Sequence, residues 1–324
     1  MFPILLLTIF PSIILSVLAF PFIVRKTEKM NLYDMPNGRK VHSTPVSRFG
    51  GMAFFPIMLF SIIFVLLTDS YLGYATEGGI YGITNTWRMI VILLSGSFVY
   101  ITGFFDDYYG LGYKIKFCAQ SIASLFIAMG LCMPIFGFTY QVFVVWFFIL
   151  YVINAINLID GIDGLSSGIA IITLIVLVVC HVILGNWFGA IVASALLGVV
   201  ATYFYFNVYS WEYKLFMGDT GSMTLGLMLG YLIVSVHVFE QKTHGGIPFY
   251  LPICIAPLLI PMIDVIRVFI VRKKEGKNPF LADKNHIHHK LMDQGLTPMQ
   301  TLRTLLFATI IVSIFVWIIL SIVF

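Results

Sequence analysis

Charge is what this sequence has least of. Only 10% of its 324 residues are Asp, Glu, Lys or Arg, against 60% hydrophobic, and the mean hydropathy is +0.98. Soluble globular domains carry about 25% charged residues, so that class is excluded. Cysteine is scarce as well. Cys118, Cys132, Cys180 and Cys254 lie in or beside apolar runs with no C-x-x-C spacing, so they read as small buried hydrophobes and not as a disulfide framework or thiolate metal site. The apolar runs lack strand-like alternation, which argues against a membrane barrel. No linker, low-complexity stretch, internal repeat or soluble region divides the chain, so residues 1–324 read as one domain.

What is present is a series of long apolar runs. Ten of them, at roughly 3–24, 49–68, 87–105, 115–133, 141–158, 166–184, 188–206, 222–239, 248–270 and 303–324, meet the length of about 20 apolar residues that a helix needs to cross a bilayer. The expected fold class is all-α, a polytopic transmembrane bundle of about ten helices. The first run does not read as a cleavable signal peptide: no basic residue precedes it, no A-x-A-like site follows, and Arg25, Lys26 and Lys29 come after it. Of the 19 Lys and Arg, all but Arg88 and Lys242 fall in or beside alternate connections. These connections cover roughly 25–48, 106–114, 159–165, 207–221 and 271–302, and the positive-inside rule puts them in the cytoplasm with both termini outside. The net charge of +4 is accounted for by these flanks, and no nucleic-acid partner is expected.

Six of the 15 acidic residues, Asp106, Asp107, Asp160, Asp163, Asp219 and Asp264, fall at or near the cytoplasmic ends of these runs. Carboxylates at membrane depth are costly and rarely kept for packing alone. Several converging from distant parts of one chain suggest a site for a divalent metal and a phosphorylated ligand.

Five stretches carry the chemistry. In RKVHSTPVSRFGG, Lys40, His42 and Arg48 precede Gly50-Gly51, either as membrane-flank anchoring with a turn or as a close backbone approach to phosphate. In GFFDDYYGLGYKIK, Asp106 and Asp107 repel each other unless a cation or hydrogen bonds hold them, and Lys114 and Lys116 follow; the alternative is a capped, solvated loop. In NAINLIDGIDGL, Asn154, Asn157 and Asp160 recur every three residues, which aims their oxygens from one helical face. Such hard ligands suit Mg²⁺ or Mn²⁺, and the two Asp-Gly steps break the helix. In FMGDTGS, Asp219 lies between two glycines with Ser222 opening the next helix, as an anion site or a simple cap; Asn207 upstream faces the same region. In the last stretch, Asp264 precedes Arg267 by three residues, as an ion pair or with a direct role. His286, His288 and His289, beside Lys284 and Lys290, suit donation to phosphate oxygens or tuning of a leaving group. Zinc is disfavoured, since no Cys accompanies the histidines and no two are spaced i,i+4.

These residues resemble the polyprenyl-phosphate N-acetylhexosamine-1-phosphate transferases. The resemblance runs over nearly the whole chain, through K-x-H-x-x-P-x-x-R-x-G-G at Lys40–Gly51, D-D-x-x-G at Asp106–Gly110, N-x-x-D-G-x-D-G-L at Asn157–Leu165, G-D-x-G-S at Gly218–Ser222 and H-x-H-H at His286–His289. It implies attack of undecaprenyl phosphate on the β-phosphate of a UDP-N-acetylhexosamine, with release of UMP, in the cytoplasmic membrane of a bacterium. It implies Mg²⁺, with Mn²⁺ as the substitute, held through Asn157 and Asp219. Catalytic work would fall to Asp106, Asp107, Asp160, Asp163 and His289, with Asp106 or Asp107 deprotonating or holding the lipid phosphate. Substrate binding would fall to Lys40, His42, Arg48, Lys116, Asn154, Asn207, Phe216, Asp264, His286 and His288, with uridine near Asp160–Leu165. Relatives are usually dimers, so a homodimer is within the expectation.

Three other readings compete. The related phospho-N-acetylmuramoyl-pentapeptide transferases carry three consecutive histidines, whereas Ile287 interrupts the run here. The CDP-alcohol phosphotransferases carry a D-G-x-x-A-R signature that neither Asp-Gly step completes. An ion-coupled carrier would place its acids at mid-membrane depth, whereas most of these sit at span ends.

Overall fold

A computed structural model describes residues 2–30, 32–33, 46–72, 83–243, 247–276 and 285–323. Lys40 and His42, both expected to bind substrate, lie outside the described residues. Helices α1 (Phe2–Lys29), α2 (Phe54–Leu72), α3 (Ile83–Tyr109), α4 (Tyr113–Phe136), α5 (Tyr140–Ile159), α6 (Leu165–Ile183), α7 (Trp187–Val208), α8 (Gly218–Thr243), α9 (Tyr250–Ile255), α10 (Leu259–Lys274), α11 (Ile287–Asp293) and α12 (Pro298–Val323) follow in order. Among the described residues ten segments are long and apolar enough to cross a membrane, matching the ten expected from sequence. Extended pairing is limited there to a bridge between Ser47 and Leu215.

Two differences from the sequence reading matter. The ninth run is not one helix: Ala256–Leu258 forms a 3-10 turn between α9 and α10, where Pro257 has no N–H to continue the α-helical ladder. The acidic stretches are also less loop-like than expected. α3 continues through Asp106 and Asp107, and α8 begins at Gly218, so three carboxylates ride on helix termini. Gly110, at φ 71° and donating its N–H to the Asp106 carbonyl, then ends α3, as a left-handed glycine cap does.

α8 is the axle of the bundle. Every residue from Thr220 to Val236 is buried, which fits a helix that is apolar or small on all faces. Between lipid-embedded helices packing replaces the hydrophobic effect, and small residues let backbones approach. A Cβ on Gly226 would stand 2.6 Å from the Ile153 Cα, so α5 and α8 meet closely along this face. By contrast only 6% of the apolar window of α12 is buried, and Phe307, Ile311, Phe315 and Ile322 face outward.

The start of α8 lies among the end of α3, the start of α4 and the end of α5, so the carboxylates converge at one end of the bundle. A separate polar knot closes the other end. Buried Arg88 donates to the side-chain oxygens of Asn85 (3.3 Å) and Asn186 (3.4 Å), and Asn186 donates to Ser235 (3.1 Å).

Candidate active site

Ligand atoms of Asp106, Asp107 and Asp219 lie within 4.8 Å of one another. The two members of the Asp-Asp pair do different things. Asp107 is saturated: Oδ1 accepts from the Asp219 N–H (2.8 Å), and Oδ2 accepts from the Thr220 N–H (2.9 Å) and hydroxyl (2.5 Å). It therefore caps the N-terminus of α8 from another helix, where free N–H groups and the helix dipole favour an anion. Its own carbonyl accepts from Arg48 Nε at 3.0 Å, which ties the first connection to the end of α3.

Asp106 keeps an oxygen in reserve. Oδ2 pairs with Lys116 Nζ at 3.1 Å, and the same ammonium reaches Asp219 Oδ2 at 3.4 Å. Asp106 Oδ1 is buried with no hydrogen-bond partner. An orphaned carboxylate oxygen beside two other carboxylates is a donor set that fits a hard divalent cation. Lys116, in the first turn of α4, offsets part of that negative charge.

Asn157 donates from Nδ2 to Asp219 Oδ1 (2.6 Å) and to Ser222 Oγ (2.8 Å). The expected metal pair is thus brought together, with the amide nitrogen of Asn157 turned to Asp219 and orienting it. Asn154, one turn earlier, donates from Nδ2 to Gln120 Oε1 (3.1 Å) and to the Leu150 carbonyl (2.8 Å), tying α5 to α4.

The Asp-Gly turn between α5 and α6 is held at both ends. Asp160 accepts from the Ser166 hydroxyl, and Asp163 pairs with Lys214 Nζ at 2.6 Å. Asn207 accepts from the Gly164 N–H (2.6 Å) and donates to the Leu215 carbonyl (2.9 Å), so it braces two loops. Burial raises the Asp160 pKa to about 7, helped by the charges of Asp219, Asp163 and Asp107 and opposed by Ser166. The backbone of Phe216 bridges Ser47 and Gly50: its N–H donates to the Ser47 carbonyl (2.7 Å) and its carbonyl accepts from the Gly50 N–H (2.9 Å).

The histidines form a neighbouring group. His286 pairs with Asp264, and its ring lies parallel to that of His288 with centroids 5.8 Å apart. The His288 and His289 centroids are 4.3 Å apart. His288 is buried, with neither ring nitrogen hydrogen-bonded, and its Nε2 would meet a Cβ on Gly161 at 2.2 Å. Burial, followed by the charges of His289 and His286, lowers its pKa to about 3. A neutral ring so placed packs α11 onto the Asp-Gly turn.

Sequence reasoning missed Thr220, Ser166 and Lys214, which hold Asp107, Asp160 and Asp163. Only Lys214 left a signal, as a lone cation in an inner connection.

Glycosyl transferase family 4, as a family profile, matches residues 89–237, which span Asp106 to Asp219. A Bacillus subtilis (strain 168) protein named "Probable undecaprenyl-phosphate N-acetylglucosaminyl 1-phosphate transferase" is 30% identical over 301 residues, covering 88% of this chain and 76% of its own length. The chain belongs to glycosyl transferase family 4. Within the family it is also similar to the Escherichia coli (strain K12) undecaprenyl-phosphate alpha-N-acetylglucosaminyl 1-phosphate transferase, at 29% identity over 310 residues, 89% of this chain and 77% of the relative. The Mycobacterium tuberculosis (strain CDC 1551 / Oshkosh) decaprenyl-phosphate N-acetylglucosaminephosphotransferase is 27% identical over 289 residues, 80% of this chain and 69% of that protein. All three relatives are named as polyprenyl-phosphate N-acetylglucosamine-phosphate transferases, and this chain has ten segments among its described residues that are long and apolar enough to cross a membrane.

Proposed function

We propose that the protein transfers an N-acetylhexosamine-1-phosphate, GlcNAc-1-phosphate first among the candidates, from its UDP-sugar to undecaprenyl phosphate. A phosphate oxygen of the lipid attacks the β-phosphorus, the bond between the β-phosphorus and its bridging oxygen breaks, and UMP leaves. The product is the lipid-linked sugar diphosphate that begins a cell-envelope polysaccharide, O-antigen among them. The observation that carries this reading is the gathering of Asp106, Asp107, Asp219 and Lys116 at one end of the bundle. One substrate cannot leave the bilayer and the other is soluble, so a site at helix ends lets the two meet. The basic flanks support a cytoplasmic site in the cytoplasmic membrane, with both termini outside.

Asp106 and Asp219 are the residues assigned to Mg²⁺, with Asp107 capping the turn that carries Asp219 and Asn157 orienting its carboxylate. When bound there, the cation supplies positive charge that offsets repulsion between the two phosphorylated substrates. Arg48 and Lys116 are assigned to phosphate oxygens, and the Asp160–Leu165 turn braced by Asn207 to uridine.

The test is incubation of the purified protein with undecaprenyl phosphate, Mg²⁺ and a panel of UDP-sugars, including UDP-MurNAc-pentapeptide, with released UMP measured. UMP release with UDP-GlcNAc or another UDP-N-acetylhexosamine supports the reading. Release with the pentapeptide donor alone, or with none, overturns it.

A further inference from the structure

Asp264 was expected to bind substrate, yet four donors already meet its two oxygens. Oδ1 accepts from Arg267 Nε (3.1 Å) and Nη2 (2.6 Å) and from the Ile287 N–H (3.1 Å), while Oδ2 faces His286 Nδ1 at 2.8 Å. Arg267 also donates to the Asn285 carbonyl, so α10 grips the start of α11 through this one carboxylate. Asp264 and His286 are buried, at 3% and 6% exposure. The carboxylate has no capacity left to aim at a ligand.

What it controls is the imidazole. A carboxylate paired with a guanidinium only accepts hydrogen bonds, so His286 must carry its proton on Nδ1. The tautomer of a histidine is set by the partner of its other nitrogen. Nε2 of His286 makes no hydrogen bond among the described residues. The parallel His288 ring and the fixed backbone of Ile287 hold the plane of the His286 ring.

We propose that Asp264 is a positioning residue that acts through His286: it fixes the proton on Nδ1 and leaves Nε2 as an acceptor that takes a hydrogen bond from an N–H or hydroxyl of the nucleotide sugar. This rests on the phosphoryl transfer proposed above, and it replaces direct substrate contact by Asp264 with control of one histidine. Arg267 serves the same unit by holding the carboxylate.

Asp264→Asn isolates the effect. The Asn oxygen still accepts from Arg267 and Ile287, while its amide presents N–H to His286 Nδ1, which forces the imidazole proton onto Nε2. Two measurements decide the matter. The first is ¹⁵N NMR of histidine-labelled protein in micelles, with His286 assigned by difference from His286→Ala. The expected spectrum has the Nδ1–H tautomer in the unsubstituted protein and the Nε2–H tautomer in Asp264→Asn; one tautomer in both overturns the proposal. The second is a double-mutant cycle on UMP release. Loss of an orienting partner costs about 10–100-fold, so kcat/KM should fall by that much in Asp264→Asn. With His286→Ala already present, the same change should add less than about twofold, because residues acting as a unit are not additive. Losses that multiply, or an unchanged rate in Asp264→Asn, overturn it. Should Asp264→Asn fail to fold, the ¹⁵N spectrum of the unsubstituted protein decides alone: the Nδ1–H tautomer of His286 supports the proposal and the Nε2–H tautomer overturns it. If the unsubstituted protein releases no UMP from any UDP-sugar, the functional reading falls, and the NMR measurement still decides whether Asp264 governs His286.

Discussion

The Asp107 carboxylate holds the backbone of Asp219: Oδ1 accepts the Asp219 N–H at 2.8 Å, and Oδ2 takes both the N–H and the hydroxyl of Thr220. Two residues 112 positions apart are thus joined end to end, one as cap and the other as the acid presented by the capped turn. Adjacent carboxylates in a sequence suggest one shared role, whereas here the pair is divided between architecture and chemistry.

That division predicts different penalties for the two isosteric changes. Asp107→Asn removes charge and one acceptor from a helix N-terminus, a change worth about 1–2 kcal/mol of stability. Its thermal midpoint in detergent should fall together with its rate. Asp106→Asn leaves every backbone bond intact and relieves carboxylate crowding, so its midpoint should hold or rise while UMP release drops by orders of magnitude. Equal midpoints in the two variants would remove the distinction.

Close backbone approach makes a second prediction. A Cβ on Gly51 would stand 2.1 Å from the Gly221 nitrogen and 2.2 Å from its Cα, so the first connection lies directly on the start of α8. Gly51→Ala must push that turn away and disturb Asp219, with a penalty of about 1–3 kcal/mol for overpacking. Gly112→Ala is the control, because nothing lies within 4 Å of the added methyl. Thermal unfolding of the two variants checks this, and an unperturbed Gly51→Ala would show that the contact yields.

Asp160 sets a pH dependence. Burial, with the neighbouring carboxylates, raises its pKa to about 7 in the folded protein, against about 3.9 in an unfolded chain. The folded state therefore binds this proton more tightly. Its contribution to stability is fully present below about pH 4 and is lost as pH rises through about 7. Thermal midpoints measured in chelator from pH 4 to 8 should decline over that window, and Asp160→Asn should flatten the decline. An identical slope in the variant assigns the dependence to other groups.

Much of this was legible in the residues, for reasons that differ by feature. Ten spans follow from apolar length alone, since the bilayer fixes the ruler. The convergence of Asp106, Asp160 and Asp219 follows from alternation of loop sides. What sequence did not reveal is which oxygen of which acid is satisfied. Thr220 and Ser166 resemble any helix-start hydroxyl, and only three-dimensional placement turns them toward Asp107 and Asp160. The break at Ala256–Leu258 was hidden because Pro252, Pro257 and Pro261 sit in a run apolar enough to read as one helix.

Metal removal tests the centre of the site. Asp106 Oδ1 lacks a partner, while Asp219 Oδ1 and Oδ2 are met by Asn157 and Lys116, so a cation entering here meets one open oxygen and a carboxylate already aimed by an amide. EDTA should reduce UMP release by more than about 100-fold, and Mg²⁺ should restore it. Asp219→Ala should weaken Mg²⁺ or Mn²⁺ affinity, read by Mn²⁺ electron paramagnetic resonance without substrate, by at least about tenfold. Asn157→Ala frees Asp219 from its orienting donor and should give a smaller loss in the same assay. Full activity in EDTA would remove the cation from the reaction. Unchanged Mn²⁺ affinity in Asp219→Ala would instead move the ion to another set of ligands and leave Asp219 as the partner of Lys116 alone.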